Sequence, residues 1–242
     1  MGCTEALEDR SIKVAQAMGK LLKLAGVKFG ILGIEESCCG EPARRLGNEY
    51  LFQMQAESNI GILKNYNVKK IVTACPHCYN TLKNEYPQFG GEFEVIHHSD
   101  FIASLLKEGK IRILKGDGGV VTYHDSCYLG RHNDIYESPR QVLNSIPDIT
   151  MVEMERNKER SFCCGGGGGR MWLEERIGQR ISEMRVEQVV DAKAQIIATA
   201  CPFCLQMFDD AIKAKELEES LRVIDIAELV AGSAIYRPYQ SE

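Results

Sequence analysis

The chain has 242 residues, 44% of them hydrophobic, and a formal net charge of −5. That is enough for two modest cores of roughly 100–150 residues each. The acidic balance does not favour nucleic acid or an anionic membrane surface as a partner, and the apolar runs are too short and interrupted to cross a bilayer.

In chain order, Ala6, Leu7, Val14, Met18, Leu21, Leu22 and Leu24 recur at helical spacing and predict a helix over 5–25. Val27 to Ile34 reads as a strand that delivers the chain to Cys38-Cys39-Gly40. A helix is expected from about Asn48 to Asn65, then a strand at Lys70–Ala74 that ends on Cys75. A helix follows Pro76, a strand covers Glu92–His97, and a helix lies near Asp100–Glu108. Gly116-Asp117-Gly118-Gly119 is the expected linker, dividing the chain into domains 1–116 and 117–242.

The order then repeats. Val120–Tyr123 is a strand leading to Cys127, Pro139–Ser145 a helix and Ile149–Glu153 a strand. After Cys163-Cys164 and the glycines 165–169, Trp172–Asp191 reads as a long helix, Gln195–Thr199 as a strand and Pro202–Lys213 as a helix. Arg222–Ile226 and Ala227–Val230 close as strand and helix. Strands alternating with helices predict an α/β fold: two pseudo-symmetric lobes from an internal duplication, each with a small, mainly parallel sheet flanked by helices. Ligands of such sheets bind beyond the carboxyl ends of the strands, and the vicinal and CxxC cysteines each follow a predicted strand.

The ten cysteines form one five-cysteine pattern used twice. Cys3, Cys38, Cys39, Cys75 and Cys78 are matched by Cys127, Cys163, Cys164, Cys201 and Cys204 at offsets of 124–126 residues. Thr73-Ala74-Cys75-Pro76-His77-Cys78 also matches Thr199-Ala200-Cys201-Pro202-Phe203-Cys204. The N-terminus has no basic-then-apolar leader pattern, so a reducing compartment is expected and metal binding outranks disulfides. Vicinal and CxxC pairs also make poor structural staples.

Thiolates bind iron or zinc, but five per lobe exceeds the four that a zinc site or a cubane cluster uses. The fifth is a spare, a thiol that reacts with substrate, or a bridging ligand. Pro76 and Pro202 place Cys75 and Cys201 at helix N-termini, where a thiol ionises more readily and N–H groups can donate to sulfur. Gly165 to Gly169 would let the backbone approach a bulky inorganic core. They do not form a Walker loop, because Arg170-Met171 follows instead of Lys-Ser/Thr.

His77 is replaced by Phe203 in the second copy, which favours a supporting or surface role over a ligand. His97-His98 reads as a pair at a strand end in a solvated loop, with metal coordination the rarer use. Tyr123, His124, Asp125, Arg131 and His132 flank Cys127 and could hold or protonate a substrate, although structural hydrogen bonding is the commoner role. No catalytic side chain is assigned.

With these spacings the chain resembles the paired cysteine-rich CCG domains of the heterodisulfide reductase B/D subunit family and of flavoprotein- and quinone-linked iron–sulfur oxidoreductases. Glu49-Tyr50-Leu51-Phe52-Gln53, Thr81-Leu82-Lys83-Asn84-Glu85-Tyr86-Pro87, His124-Asp125-Ser126-Cys127-Tyr128-Leu129-Gly130-Arg131 and Gly169-Arg170-Met171-Trp172 are similar to the latter branch.

The resemblance implies one 4Fe-4S cluster per five-cysteine set, non-cubane in the best-understood members, with the fifth cysteine bridging irons. It implies an oxidoreductase subunit of a larger complex. Electrons would pass from a ferredoxin-type or flavin partner to a disulfide, quinone or acyl-CoA-linked acceptor. The expected location is the cytoplasm or, through a partner, the inner face of the membrane. Cys3 sits almost at the start of the chain, where larger relatives carry ferredoxin-like or membrane segments, so the chain reads as a separate subunit or a fragment. A ligand so near a terminus needs tight docking.

Two other classes compete. One is a zinc-stabilised, non-redox binding module, or a mixed form with one cluster lobe and one zinc lobe. The other is a thiol–disulfide oxidoreductase using CxxC alone, which would need neither the vicinal pairs nor Cys3 and Cys127.

Overall fold

The computed structural model describes residues 2–116, 118–173 and 177–236. The chain opens with α1 (Cys3–Leu7) and α2 (Asp9–Leu24), separated at Glu8, whose extended backbone (φ −96°, ψ 120°) ends one helix and caps the next. The helix expected over 5–25 is therefore two pieces, and Cys3 lies on the short one. After α3 (Glu41–Arg45) and α4 (Glu49–Asn65), the Asn48 side chain accepts from Leu51 N–H at the start of α4, an N-cap of the ordinary kind.

β1 (Lys70–Thr73) leads to α5 (Pro76–Asn80), which passes through a wide π turn (Thr81–Glu85) and a 3₁₀ turn (Tyr86–Phe89). β2 (Glu94–His97), α6 (His98–Lys107) and β3 (Ile111–Ile113) complete the first half. The second half runs β4 (Gly119–Tyr123), α7 (Glu137–Asn144), β5 (Ile149–Val152), α8 (Ile181–Asp191) and β6 (Ile196–Thr199). It ends with α9 (Pro202–Ala214), β7 (Arg222–Asp225), α10 (Ile226–Ser233) and β8 (Ala234–Tyr236).

Two of the three sheets among the described residues are parallel, as the alternation predicts. β1 pairs with β2, and the second half has a four-stranded sheet in the order β5-β4-β6-β7. The repeat is visible in register, since Thr73 faces His97 as Thr199 faces Asp225. An antiparallel pair, β3 with β8, joins the end of the first half to the end of the second. The main core is shared. Val14, Met18, Leu21 and Leu22 of α2 belong to the same buried cluster as Val186, Ile197, Phe208 and Val230, and α2 packs on α10 and α9.

Two expectations fail. Val27 to Ile34 is not a strand. It pairs with no strand among the described residues, so its alternating apolar residues enter no sheet face there, and Phe29, Ile31 and Ile34 stay exposed. A strand needs a neighbour to satisfy its backbone groups. Nor does a helix start at Trp172. Arg170–Trp172 is a 3₁₀ turn, Leu173 is extended, Gly178 has φ +72° and α8 begins at Ile181; residues 174–176 of the expected helix lie outside the described residues. In the expected linker, Asp117 also lies outside them, while Gly118 and Gly119 have φ of +74° and +107°.

Candidate metal centre

β1 and β6 each end one residue before an Ala-Cys-Pro step that starts a helix, with Cys75 the N-cap of α5 and Cys201 the N-cap of α9. This is the sequence expectation realised, with proline at the first helical position. The two Cys-Cys-Gly turns also repeat each other. Gly40 (φ +87°) and Gly165 (φ +86°) donate their N–H to the sulfurs of Cys38 and Cys163, at 3.4 and 3.2 Å. The left-handed φ is what makes glycine necessary here.

The structure gathers each five-cysteine set. Cys3, Cys38, Cys39, Cys75 and Cys78 line one small cavity. In the second set, Cys204 and Cys164 have sulfurs 3.3 Å apart, Cys163 and Cys201 hydrogen-bond to those two, and burial, then the charges of Cys164 and Cys201, raise the Cys127 thiol. All ten are free thiols, with Cys39, Cys75, Cys78, Cys164, Cys201 and Cys204 buried.

Each vicinal pair is split in acidity in the same sense. Hydrogen bonds from Cys38 and Cys78 lower the Cys39 thiol to about 6. Those from Cys163, Cys204 and His124 hold Cys164 well below the ordinary thiol range. Cys163 is pushed up, first by its bond to Cys164 and then by burial. Burial opposes ionisation of Cys201, but bonds from Cys204 and His77 outweigh it and lower the thiol. Thiols converging in a largely buried site, with backbone N–H groups aimed at sulfur, are the donor chemistry that iron–sulfur clusters take.

The supporting residues are largely ones the sequence did not single out. Asn59, on the inner face of α4, donates to the Cys38 carbonyl (2.9 Å) and to the Tyr86 hydroxyl (3.0 Å), and Tyr86 donates to the Cys39 carbonyl (3.1 Å). The signal for Asn59 was a polar residue between Ala56 and Ile60 on an otherwise apolar stripe. Arg185 is fully buried beside the second set and bonds His124 Nδ1 (3.4 Å), Ser161 Oγ (3.2 Å) and Gln188 Oε1 (2.6 Å). Burial lowers its guanidinium to about 10. Nothing in its local sequence sets it apart from a solvated helix arginine.

The flanks of Cys127 divide by role. Asp125 accepts both Nη groups of Arg140 (2.7 and 2.9 Å) and the Lys158 N–H (2.7 Å), and Arg131 donates to the carbonyls of Glu159 and Ser161. Both are structural. His132 stacks on Tyr128 with ring centroids 4.4 Å apart. Tyr123 is buried, and its hydroxyl has no hydrogen-bond partner among the described residues. His124 faces the second set, where its ring nitrogen and the sulfurs of Cys164 and Cys204 lie within 4.8 Å of one another.

One histidine expectation changes, and one of the two roles left open for His77 is selected. His97 and His98 are fully buried rather than solvated, because β2 ends against the second half, where His98 Nε2 meets Asp225 Oδ1 at 3.0 Å. His77, also buried, stands between the two sets. Its Nδ1 is 3.9 Å from the Cys75 sulfur and 3.9 Å from the Cys201 sulfur.

The cysteine-rich domain model CCG matches this chain twice, over residues 1–83 and 121–209. The chain therefore belongs to the cysteine-rich CCG domain family, as two copies of the domain. It is 49% identical over 236 residues to an EtfAB:quinone oxidoreductase of Syntrophomonas wolfei, covering 95% of this chain and 33% of that protein. It is 48% identical over 235 residues to the probable iron-sulfur-binding oxidoreductase FadF of Bacillus subtilis, covering 97% and 33%. With a dihydromethanophenazine:CoB–CoM heterodisulfide reductase polypeptide of Methanosarcina mazei, identity is 38% over 236 residues, covering 95% and 57%. The chain thus spans about a third of the first two proteins and little more than half of the third. Among solved structures, a glutamate racemase from Francisella tularensis superposes with a TM-score of 0.37 at 14% identity, covering 91% of this chain and 75% of that one.

Proposed function

We propose that the chain is an iron–sulfur oxidoreductase subunit with two 4Fe-4S clusters of the non-cubane kind. Cys3, Cys38, Cys39, Cys75 and Cys78 would hold one within 1–116, and Cys127, Cys163, Cys164, Cys201 and Cys204 the other within 117–242. It takes electrons from a ferredoxin-type or flavin partner and delivers them to a disulfide, quinone or acyl-CoA-linked acceptor. The observation that carries this reading is the adjacency of the two sets: one imidazole, His77, lies 3.9 Å from a sulfur of each. The identities with named iron–sulfur and quinone oxidoreductases support it.

When bound, such clusters supply one-electron carriers. The chain's own contribution is to hold their ligands and balance their charge. Gly40 and Gly165 donate N–H groups to sulfur, which favours the more negative state. Asn59 and Tyr86 fix the carbonyls of the first vicinal pair. Buried Arg185 offsets negative charge at the second set. No helix among the described residues is long and apolar enough to cross a membrane.

The test is iron, acid-labile sulfide and zinc per chain on anaerobically purified protein, with EPR spectra of the oxidised and reduced forms. About eight irons and eight sulfides are expected, four of each per cluster. An EPR change on adding a disulfide selects that acceptor. Zinc without sulfide refutes the redox reading. A second reading has one observation in its favour: His124, Cys164 and Cys204 are grouped as metal ligands would be. It assigns zinc to the second half and a cluster to the first, and the same assay would then give about four irons and one zinc.

A further inference from the structure

His77 and Phe203 occupy the same place in the two copies of the repeat, and in the fold their rings pack against each other at a tilt of 40°, with centroids 4.5 Å apart. Tyr128 also packs against His77, with centroids 4.4 Å apart. The imidazole is held by two ring contacts, and it is buried, with 3% of its surface exposed. Its Nδ1 is equidistant from Cys75 of the first set and Cys201 of the second. The other copy contributes a phenyl ring, which can donate nothing.

Building on the two-cluster reading, we infer that His77 is a positioning residue shared by both clusters, and that its single Nδ1–H makes their two reductions unequal. One N–H cannot point at two sulfurs at once. A bond to a more negative sulfur is the stronger one, and hydrogen bonds to sulfur raise a cluster's potential. The N–H therefore settles on the cluster that accepts the first electron and stabilises that state. When the second electron arrives at the other cluster, the N–H is already committed. The His77 bond thus contributes to the first one-electron step and little to the second. Equal distances to the two sulfurs mean that geometry gives neither set a prior claim.

The experiment is a dithionite titration of the anaerobic, cluster-loaded protein followed by EPR, with iron and sulfide counted on each sample. His77→Phe copies the residue of the second repeat, and His77→Leu removes the ring altogether. His77→Asn restores an N–H near the Nδ1 position. We expect the donor-less variants to weaken the first reduction about tenfold in equilibrium constant, which is 59 mV for a one-electron couple. The second step should stay in place, the gap should narrow, and His77→Asn should recover part of it. If His77→Phe fails to load iron, His77→Leu is read in its place.

Two clusters with both steps unmoved, or with both lowered equally, would overturn the inference and leave the two-cluster reading standing. Iron in one set of the wild-type protein would overturn both.

Discussion

His98 of the first half and Asp225 of the second are joined by a 3.0 Å hydrogen bond between Nε2 and Oδ1, with both side chains fully buried. The bond lies at the ends of β2 and β7, strands that are equivalents in the repeat. The chain of contacts continues from His98 Nδ1 to His97 Nε2 at 3.3 Å, and from His97 Nδ1 to Ser99 Oγ at 2.8 Å. Asp225 Oδ1 also accepts the Ala227 N–H at 2.8 Å, at the start of α10. One buried carboxylate therefore both begins a helix and joins the halves. His98→Phe should cost about 1–3 kcal/mol, the usual penalty for leaving a buried polar group short of its partner. A urea melt of the reduced protein under nitrogen reads this directly, and an unchanged midpoint would mean that the bond does not hold the halves together.

His97 gives a pH dependence. Burial, and then the neighbouring His98, hold its imidazole well below the ordinary value. A depressed pKa means that the folded state binds fewer protons than the unfolded one. The stability linked to His97 is thus fully present above the unfolded value of about 6.5 and is lost as pH falls below it. Glu5, Glu41 and Glu228 are pushed up by burial and act in the opposite sense, so the comparison must be made against a variant. His97→Asn should show a smaller fall in Tm between pH 7.5 and 5.5 than the wild type, and equal falls would contradict the assignment.

Asp125 and Arg140 form a two-pronged pair beneath the loop that carries Cys127, with Glu153 as a second carboxylate on the same guanidinium. Arg140 is 5% exposed. Arg140→Met leaves Asp125 buried without its counter-charge, which typically costs about 3–5 kcal/mol. Since Asp125 also accepts the Lys158 N–H and its carbonyl accepts the Ser161 hydroxyl, the loss should spread to the segment before Cys163. Calorimetry and iron content of the purified variant should fall together.

Gly40 tests the turn at the first vicinal pair. An added Cβ would stand 2.8 Å from Phe52 Cδ2, at a φ of +87°. Gly40→Ala should cost about 1–2 kcal/mol from the left-handed backbone alone, and more from the contact with a fully buried ring. A Tm matching the wild type would show that the turn can be rebuilt without glycine.

What the sequence determined was the part written in local chemistry and in its repetition. The offsets between Cys3, Cys38, Cys75 and their partners revealed a duplication. Ala-Cys-Pro steps placed Cys75 and Cys201 at helix N-termini, because proline has no N–H to lose at that position. Alternation of strands and helices implied parallel sheets.

The tertiary structure decided what depends on a neighbour. Val27 to Ile34 has the pattern of a strand, yet it pairs with no strand among the described residues and stays out of their sheets. His97 and His98 read as a loop pair and became buried only because the second half brings Asp225 against them. Arg185 resembled any helix arginine until the fold enclosed it beside His124. His77, expected as a supporting or surface residue because Phe203 replaces it in the other copy, proved to lie where the two copies meet. A repeat aligned along the chain treats its copies as equivalent, but they meet at a point where one imidazole takes the position between them and a second cannot, so the asymmetry belongs to the packing.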